Sequence, residues 1–309
     1  MGSRADSAQW QHSLPVNAMN SRPYLQLDVF ADRPGAGNPL GVVFDADALD
    51  AATMQAIAAW TNLSETIFLL PPTAVGADYR VRIFTPRQEL PFAGHPSVGA
   101  AWAVVDRGLV AANKSALVQE CAAGLLPVRV ESRAGALVTH VRAPRARRIN
   151  VDAAHDAGLA TALKGMRLGA LAPALWDNGP RFWLVELADA DAVRALQPDL
   201  IAIAALTQAT GAVGLGVHAL EARNGHHLVV RVFCPADNIP EDPVTGSAQA
   251  AIAARLAAAG LLPGLNQQYV GSQGRELGRD GRAEVQIDAD GEVWIGGLSQ
   301  PVIRGTLDW

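Results

Sequence analysis

The chain predicts an α+β protein made of two similar domains related by a pseudo-two-fold axis, each mainly antiparallel sheet. Three observations lead there. Short β-branched runs outnumber helical periodicities, strands and helices do not alternate, and one strand–loop–helix pattern occurs twice, half a chain apart. Regular strand–helix alternation is what a doubly wound parallel fold needs, so that class is excluded. At about 100–200 residues per domain, 309 residues suit two domains.

The repeat is legible residue by residue. Arg82, Phe84 and Pro86 fall on Arg231, Phe233 and Pro235 at an offset of 149, and Pro96, Gly99 and Ala101 fall on Pro243, Gly246 and Ala248 at 147. Each copy is a strand, an irregular loop and an alanine-rich helix. A pseudo-two-fold axis brings the two loops together across one cleft, with His95 facing Asp242. Clefts between domains are usual places for small-molecule sites.

The elements follow in order. Residues 1–22 are polar and mixed, lack the apolar segment of a signal peptide, and read as a flexible tail. Residues 23–145 form the first domain, with strands at 24–30, 41–44, 66–70, 79–84, 125–131 and 136–142. Helices lie at 50–62, where Met54, Ile57, Ala58 and Trp60 fall at near-helical spacing, and at 96–107, opened by Pro96 and stopped by Gly108. Residues 146–297 form the second domain, with strands at 182–187, 213–220, 227–233, 283–287 and 292–295 and a helix at 247–259. Asp290-Gly291 between two of these runs is a hairpin turn. The segment 298–309 is a last apolar run without a partner edge, and it is expected to cross back to the first domain. The stretch 200–220 carries no Asp, Glu, Lys or Arg, but Gly211, Gly214 and Gly216 interrupt it. It reads as a helix at 198–210 followed by a buried strand, not as a membrane span.

Composition excludes several classes. A hydrophobic fraction of 50% with 18% charge is globular, not disordered. A net charge of −5 offers no basic face for nucleic acid or for an anionic membrane. Two cysteines make no disulfide framework and no cysteine-based zinc site, so a reduced, cytoplasmic setting is expected. No GxGxxG or P-loop follows a strand, and no HExxH is present, so neither nucleotide cofactor nor metal has support.

Three segments carry the chemistry. In the loop 89–97, Gly94 allows close backbone approach, and His95 opens a helix whose free N–H groups favour an anion. In the loop 240–248, Gly246 and Ser247 form a carboxylate cradle, and Asp242 is placed to act as acid or base or to hold a substrate amine. Simple helix capping is the competing reading of both loops. In 62–68, Glu65 lies against the apolar run Thr66–Leu70, and partial burial there raises a carboxyl toward neutrality. The turn 35–39 reads as a tight connection between the first two strands. His12, His140, His155, His218, His226 and His227 read as structural or solvent-facing.

Taken together, Asn62-Leu-Ser-Glu-Thr, Pro91-Phe-Ala-Gly-His-Pro-Ser and Glu241-Asp-Pro-Val-Thr-Gly-Ser resemble the signature stretches of the PhzF family, the phenazine-biosynthesis-like proteins. Asp28-Val-Phe, Gly37-Asn-Pro, Arg82-Ile-Phe-Thr-Pro, Gln273-Gly-Arg-Glu-Leu-Gly-Arg and Gly296-Gly add to it. The resemblance implies the diaminopimelate-epimerase-like fold, in which each domain is a barrel-like sheet around a central helix. It also implies a homodimer, no cofactor, and Glu65 as acid/base with His95, Asp242 and Ser247 completing the site. Two departures stand out. Family relatives that racemise amino acids use paired cysteines at the two loop positions, which here are His95 and Asp242, with Cys121 and Cys234 elsewhere. Gln249 also stands where many members carry His. The function expected is a cofactor-independent isomerase moving a proton on a small, carboxylate-bearing substrate, with Gly94, Gly246 and Ser247 binding the carboxylate. The alternatives are an epimerase or racemase using the same groups, and a small-molecule-binding protein without turnover.

Overall fold

A computed structural model describes residues 21–111, 113–223, 225–264 and 266–309. The first half runs β1 (Ser21–Val29), β2 (Asn38–Val43), α1 (Ala51–Thr61), β3 (Glu65–Leu70), β4 (Tyr79–Phe84), β5 (Glu89–Leu90), α2 (Gly94–Asp106), β6 (Ala116–Cys121), β7 (Gly124–Arg133) and β8 (Ala136–Arg142). The second runs β9 (Arg147–Ile149), α3 (Asp156–Ala162), β10 (Ala174–Asp177), β11 (Arg181–Glu186), α4 (Ala190–Arg194), α5 (Leu200–Thr210), β12 (Gly214–Arg223), β13 (His226–Cys234), β14 (Ile239–Asp242), α6 (Gly246–Ala258), β15 (Gln268–Gln273), β16 (Gly281–Ile287) and β17 (Val293–Asp308). Of the tail expected at 1–22, Ser21 and Arg22 instead begin β1, and the rest, with His12, lies outside the described residues.

Strands β1, β2, β3, β4, β6, β7, β8 and β17 pair in that order, and β17 returns to β1, closing a barrel. The second half repeats the pattern with β10, β11, β12, β13, β15, β16 and β17, while β8 beside β17 runs on as β9 to meet β10. Even the parallel joints match, β2–β3 and β4–β6 in one half and β11–β12 and β13–β15 in the other. The fold is α+β, with barrel-like, mostly antiparallel sheets. Two strands tie the halves together: β9, which continues from β8, pairs with β10, and the end of β17 pairs with β1 from Ser299 to Asp308.

Each barrel holds one helix. Helix α2 is buried from Gly94 to Val104 and touches β1, β2, β3, β4, β6, β8 and β17. Helix α6 is buried on every side over most of its length and lies against β11, β16 and β17. A helix apolar all round belongs in a core. Small residues let strands close tightly on it. A Cβ on Gly99 would stand 2.4 Å from Leu40 Cδ2.

Several strands have no strong sequence signal. Strands β6, β10 and β15 are half polar or short, so their pattern resembles loop. Strand β17, expected to stop near residue 295, continues to Asp308. Pro301 is tolerated there because it lies where the register with β1 shifts between Gln26 and Leu27, and an irregular joint needs no ladder donor. The charge-free stretch divides into α5 and β12, and among the described residues no helix is long and apolar enough to cross a membrane.

Deleting residues 300–309 strips β1 of nearly its whole partner strand. The truncated chain is expected to be insoluble. A soluble truncation melting like the full chain would contradict this.

Candidate active site

The two central helices meet head to head. A Cβ on Gly94 would lie 2.6 Å from Gly246 C and from Ser247 N, and one on Gly246 would lie 3.1 Å from Gly94 Cα and His95 N. Only glycines permit this approach. The helix starts are also bare. In α1, α4 and α5 the N-cap residues Asp50, Asp189 and Asp199 each accept a hydrogen bond from a first-turn N–H. The caps of α2 and α6, Ala93 and Thr245, make no such bond. Two buried helix N-termini therefore point uncapped first-turn N–H groups at one place, which suits an anion.

Glu65 enters from the start of β3, where the chain leaves α1 through Asn62 in the left-handed conformation. Its Oε2 stands 3.4 Å from His95 Nε2, and neither atom has a hydrogen-bond partner. Burial pushes the Glu65 carboxyl well above its usual range, and the negative charges of Asp242 and Asp237 add to this. Burial pushes His95 the other way, to about 3, against a hydrogen bond with the Pro39 backbone. Burial thus favours the protonated form of Glu65 and the neutral form of His95, a pair able to hold and return a proton.

Asp242 is held from all sides. Oδ1 accepts from Asn38 Nδ2 at 2.9 Å and from Ser64 Oγ at 3.1 Å, and Oδ2 accepts from the Thr245 hydroxyl. Burial raises its carboxyl and these bonds oppose the shift. Asn38 also donates to the Val244 carbonyl at 2.9 Å and lies against His95 Nδ1. The turn at 35–39, read from the sequence as a simple connection, thus ties the two loops together. Gln273 fastens the second loop, donating to Asp242 O and accepting from Thr245 N, each at 3.0 Å. Gln249, the departure noted above, lies behind it and donates to Gln273 Oε1 at 3.2 Å. Asn178 donates to Ser247 O at 2.9 Å while its Oδ1 has no partner.

The structure brings Glu65, His95, Gly94, Asp242, Gly246 and Ser247 together. Asn38, Ser64 and Gln273 join them from the Gly-Asn-Pro, Asn-Leu-Ser-Glu and Gln-Gly-Arg stretches, and Asn178 from a segment with no signature. A chamber of about 30 Å³ opens beside Glu65, lined also by Asp242, Ser247, Phe182, Asp237 and Cys234. Cys234, placed by the sequence away from the loops, reaches this wall because the strand end folds back, pairing with Ile239. Its thiol is pushed up by burial and by nearby carboxylates.

Acid should loosen this architecture. His95 and His218 are buried, with folded values of about 3, against roughly 6.5 unfolded. Between those values the unfolded chain holds more protons, so stability falls as pH drops, by about 1.4 kcal/mol per unit for each histidine. Glu65 and Asp242, shifted up, act oppositely and erode stability as pH rises through their folded values. His218 has both ring nitrogens unpartnered. His218→Leu is therefore expected to remove one proton from the slope of stability between pH 4 and 6. Urea melts across that range check it, and an unchanged slope would refute it.

Known proteins carry the same architecture. Residues 27–305 match the family model described as "Phenazine biosynthesis-like protein". The fission yeast Schizosaccharomyces pombe protein "Antisense-enhancing sequence 1" is 32% identical, over 93% of this chain and 99% of the relative. A Pseudomonas aeruginosa "Trans-2,3-dihydro-3-hydroxyanthranilate isomerase" is 36% identical, over 87% of this chain and 91% of the relative. A solved "Predicted Epimerase" of Pseudomonas aeruginosa superposes with a TM-score of 0.75 at 33% identity, covering 93% of this chain and 99% of that one. Fold and relatives define an enzyme of the isomerase class. The chain belongs to the phenazine biosynthesis-like, PhzF, family.

Proposed function

We propose that this isomerase moves a proton on a small, carboxylate-bearing, ring-sized substrate by general acid/base catalysis, without metal or organic cofactor, as a cytoplasmic homodimer. One observation carries the reading: a buried Glu65 whose Oε2 has no hydrogen-bond partner and stands 3.4 Å from His95 Nε2, over two uncapped helix starts. The substrate carboxylate lies on the N–H groups around Gly94, Gly246 and Ser247. The carboxylate form of Glu65 takes a proton from one carbon, the electron pair shifts the adjacent double bond, and the proton returns to the far end of the conjugated system. Atoms and electrons balance within one molecule, so no oxidant or reductant is needed. The helix N-termini stabilise negative charge as it develops.

His95, neutral, presents Nε2 to Glu65 Oε2 at 3.4 Å, within reach to steer the carboxyl's proton as it is taken up and returned. Asp242 is a positioning residue that locks both loops through Asn38, Ser64 and Thr245. The chamber of about 30 Å³ has room for about one water, not for a ring. Substrate therefore enters when the halves separate, and closure around it excludes water.

The test is deuterium uptake from heavy water into trans-2,3-dihydro-3-hydroxyanthranilate, the compound named for the Pseudomonas relative, and into a panel of small carboxylates, with chelator present. Exchange at one carbon that persists in chelator is expected. Binding of these compounds without exchange would indicate a ligand-holding protein instead, and loss of exchange in chelator would reinstate a metal.

A further inference from the structure

Where the chain crosses from the first half to the second, between β8 and β10, it is rich in cations. Arg145, Arg147 and Arg148 line a cavity of about 410 Å³ together with Trp176 and the last turns of α6. Neither Asp nor Glu lines it among the described residues. This cavity is not the cleft. Helix α6 begins in the cleft at Gly246, and Ala257 comes eleven residues later, about 16 Å along the axis. Cavities of this size hold ring-sized molecules.

The walls define what can be held. Ala254, Ala257 and Ala258 fall at i, i+3 and i+4, so this face of α6 offers only methyl groups, and Ile287 and Val293 extend the apolar floor. Carbonyls at a helix end repel an anion, but here two of them are taken. Gly260 N–H donates to Ala257 O at 3.0 Å, and Leu261 N–H to Leu256 O at 2.9 Å. Arg148 stands opposite Trp176 in the register of β9 with β10, which puts both side chains on one face of the sheet. Arg145 is tied to Glu292, and Arg147 to Asp177, which Arg181 shares. Arg148 makes neither a hydrogen bond nor an ion pair among the described residues. The charge that reaches it is of its own sign. Burial lowers Arg255 of α6 to about 10, Glu186 resists, and the cation of Arg148 adds to the fall.

An independent sign of a ligand comes from the indole. Trp176 Nε1 is buried and has no hydrogen-bond partner. An indole N–H withdrawn from water normally finds an acceptor. A donor without an acceptor beside a cation without an anion, over an apolar floor, is the complement of a carboxylate on a flat apolar body. One unpaired guanidinium matches one carboxylate, which it can grip through two parallel bonds.

We propose that this cavity is a second ligand site, separate from the catalytic cleft, which binds a monocarboxylate carried on an aromatic ring. The carboxylate lies on Arg148 and the Trp176 N–H, and the ring rests on the alanines of α6. The site does not depend on the reaction proposed above. Its walls come from β9, β10, α6 and the β16–β17 hairpin, so a ligand there fastens the crossing between the halves to the second barrel.

The experiment is calorimetric titration of the whole protein with 2-naphthoate, its neutral amide 2-naphthamide, and 2-naphthyl phosphate. The acid is expected to bind at least about tenfold more tightly than the amide, the usual worth of hydrogen bonds to a charged group. Arg148→Gln should erase that preference, and Trp176→Phe, which keeps an aromatic wall and removes the N–H, should reduce it. Both side chains are at least partly exposed, so the variants should melt like the parent. Gly94→Ala, at the far end of the molecule's central helices, should leave the acid's affinity within about threefold. Failure of the acid to bind, or equal binding of acid and amide, overturns the proposal. So does a preference that survives Arg148→Gln, or one lost in Gly94→Ala, which would place the acid in the cleft instead. Tighter binding of the phosphate than of the acid overturns the carboxylate class.

Discussion

Glu65→Gln is expected to lower deuterium exchange by about 10²–10⁴, roughly 3–5 kcal/mol of barrier, because positioned proton transfer supplies a factor of that size. The volume hardly changes, so packing is kept. Binding should move by less than about tenfold, since the carboxylate rests on segments other than β3. Stability separates loss of chemistry from loss of fold. The raised carboxyl of Glu65 weakens the folded state as pH climbs from the ordinary carboxylate range through its folded value. Gln carries no such liability, so the variant should melt no lower than the parent, and its advantage should grow as pH rises above the ordinary carboxylate range. Exchange at the parent's rate would remove Glu65 from the mechanism.

Gly94→Ala should damage binding and turnover together. Its Cβ would stand 2.6 Å from two main-chain atoms of the facing helix, and backbone cannot swing aside as a side chain does. The helix starts must part, at a stability cost of about 1–3 kcal/mol. A displacement near 1 Å at the reacting groups is worth about a hundredfold in rate. Gly246→Ala is the graded comparison, because its nearest contact is the Phe30 ring edge at 3.0 Å. It should be the milder of the two. If Gly94→Ala exchanges deuterium as fast as Gly246→Ala, the abutting helix starts are not what holds the substrate.

What the sequence revealed follows from how each feature is encoded. The duplication was legible because Pro, Gly and Ala recur at fixed offsets around both loops. Glu65 and His95 were legible because a carboxyl before an apolar run and a histidine after a glycine are local patterns. Asn38 was not, since an asparagine in a turn has the same neighbours whether it merely turns the chain or spans 204 positions to Asp242. The joint between the halves was half visible: the final apolar run demanded an edge, whereas the three residues of β9 were too few to show a pattern.

The pairing of β1 with β17 also governs the order in which this molecule is made. Ser21 waits for Asp308, 287 positions later. A chain emerging from the ribosome N-terminus first builds helix α2 and most of its barrel early, but the seam stays open until the last residues appear. During that interval β1 shows an unpaired edge of apolar residues such as Leu25 and Leu27, the kind of surface that recruits other chains. Contacts this remote in sequence also make refolding slow, because loop closure precedes the reward of pairing. Dilution from denaturant should therefore give a late phase in which β1 gains amide protection together with β17, well after α2 is protected, and aggregation should compete with that phase alone.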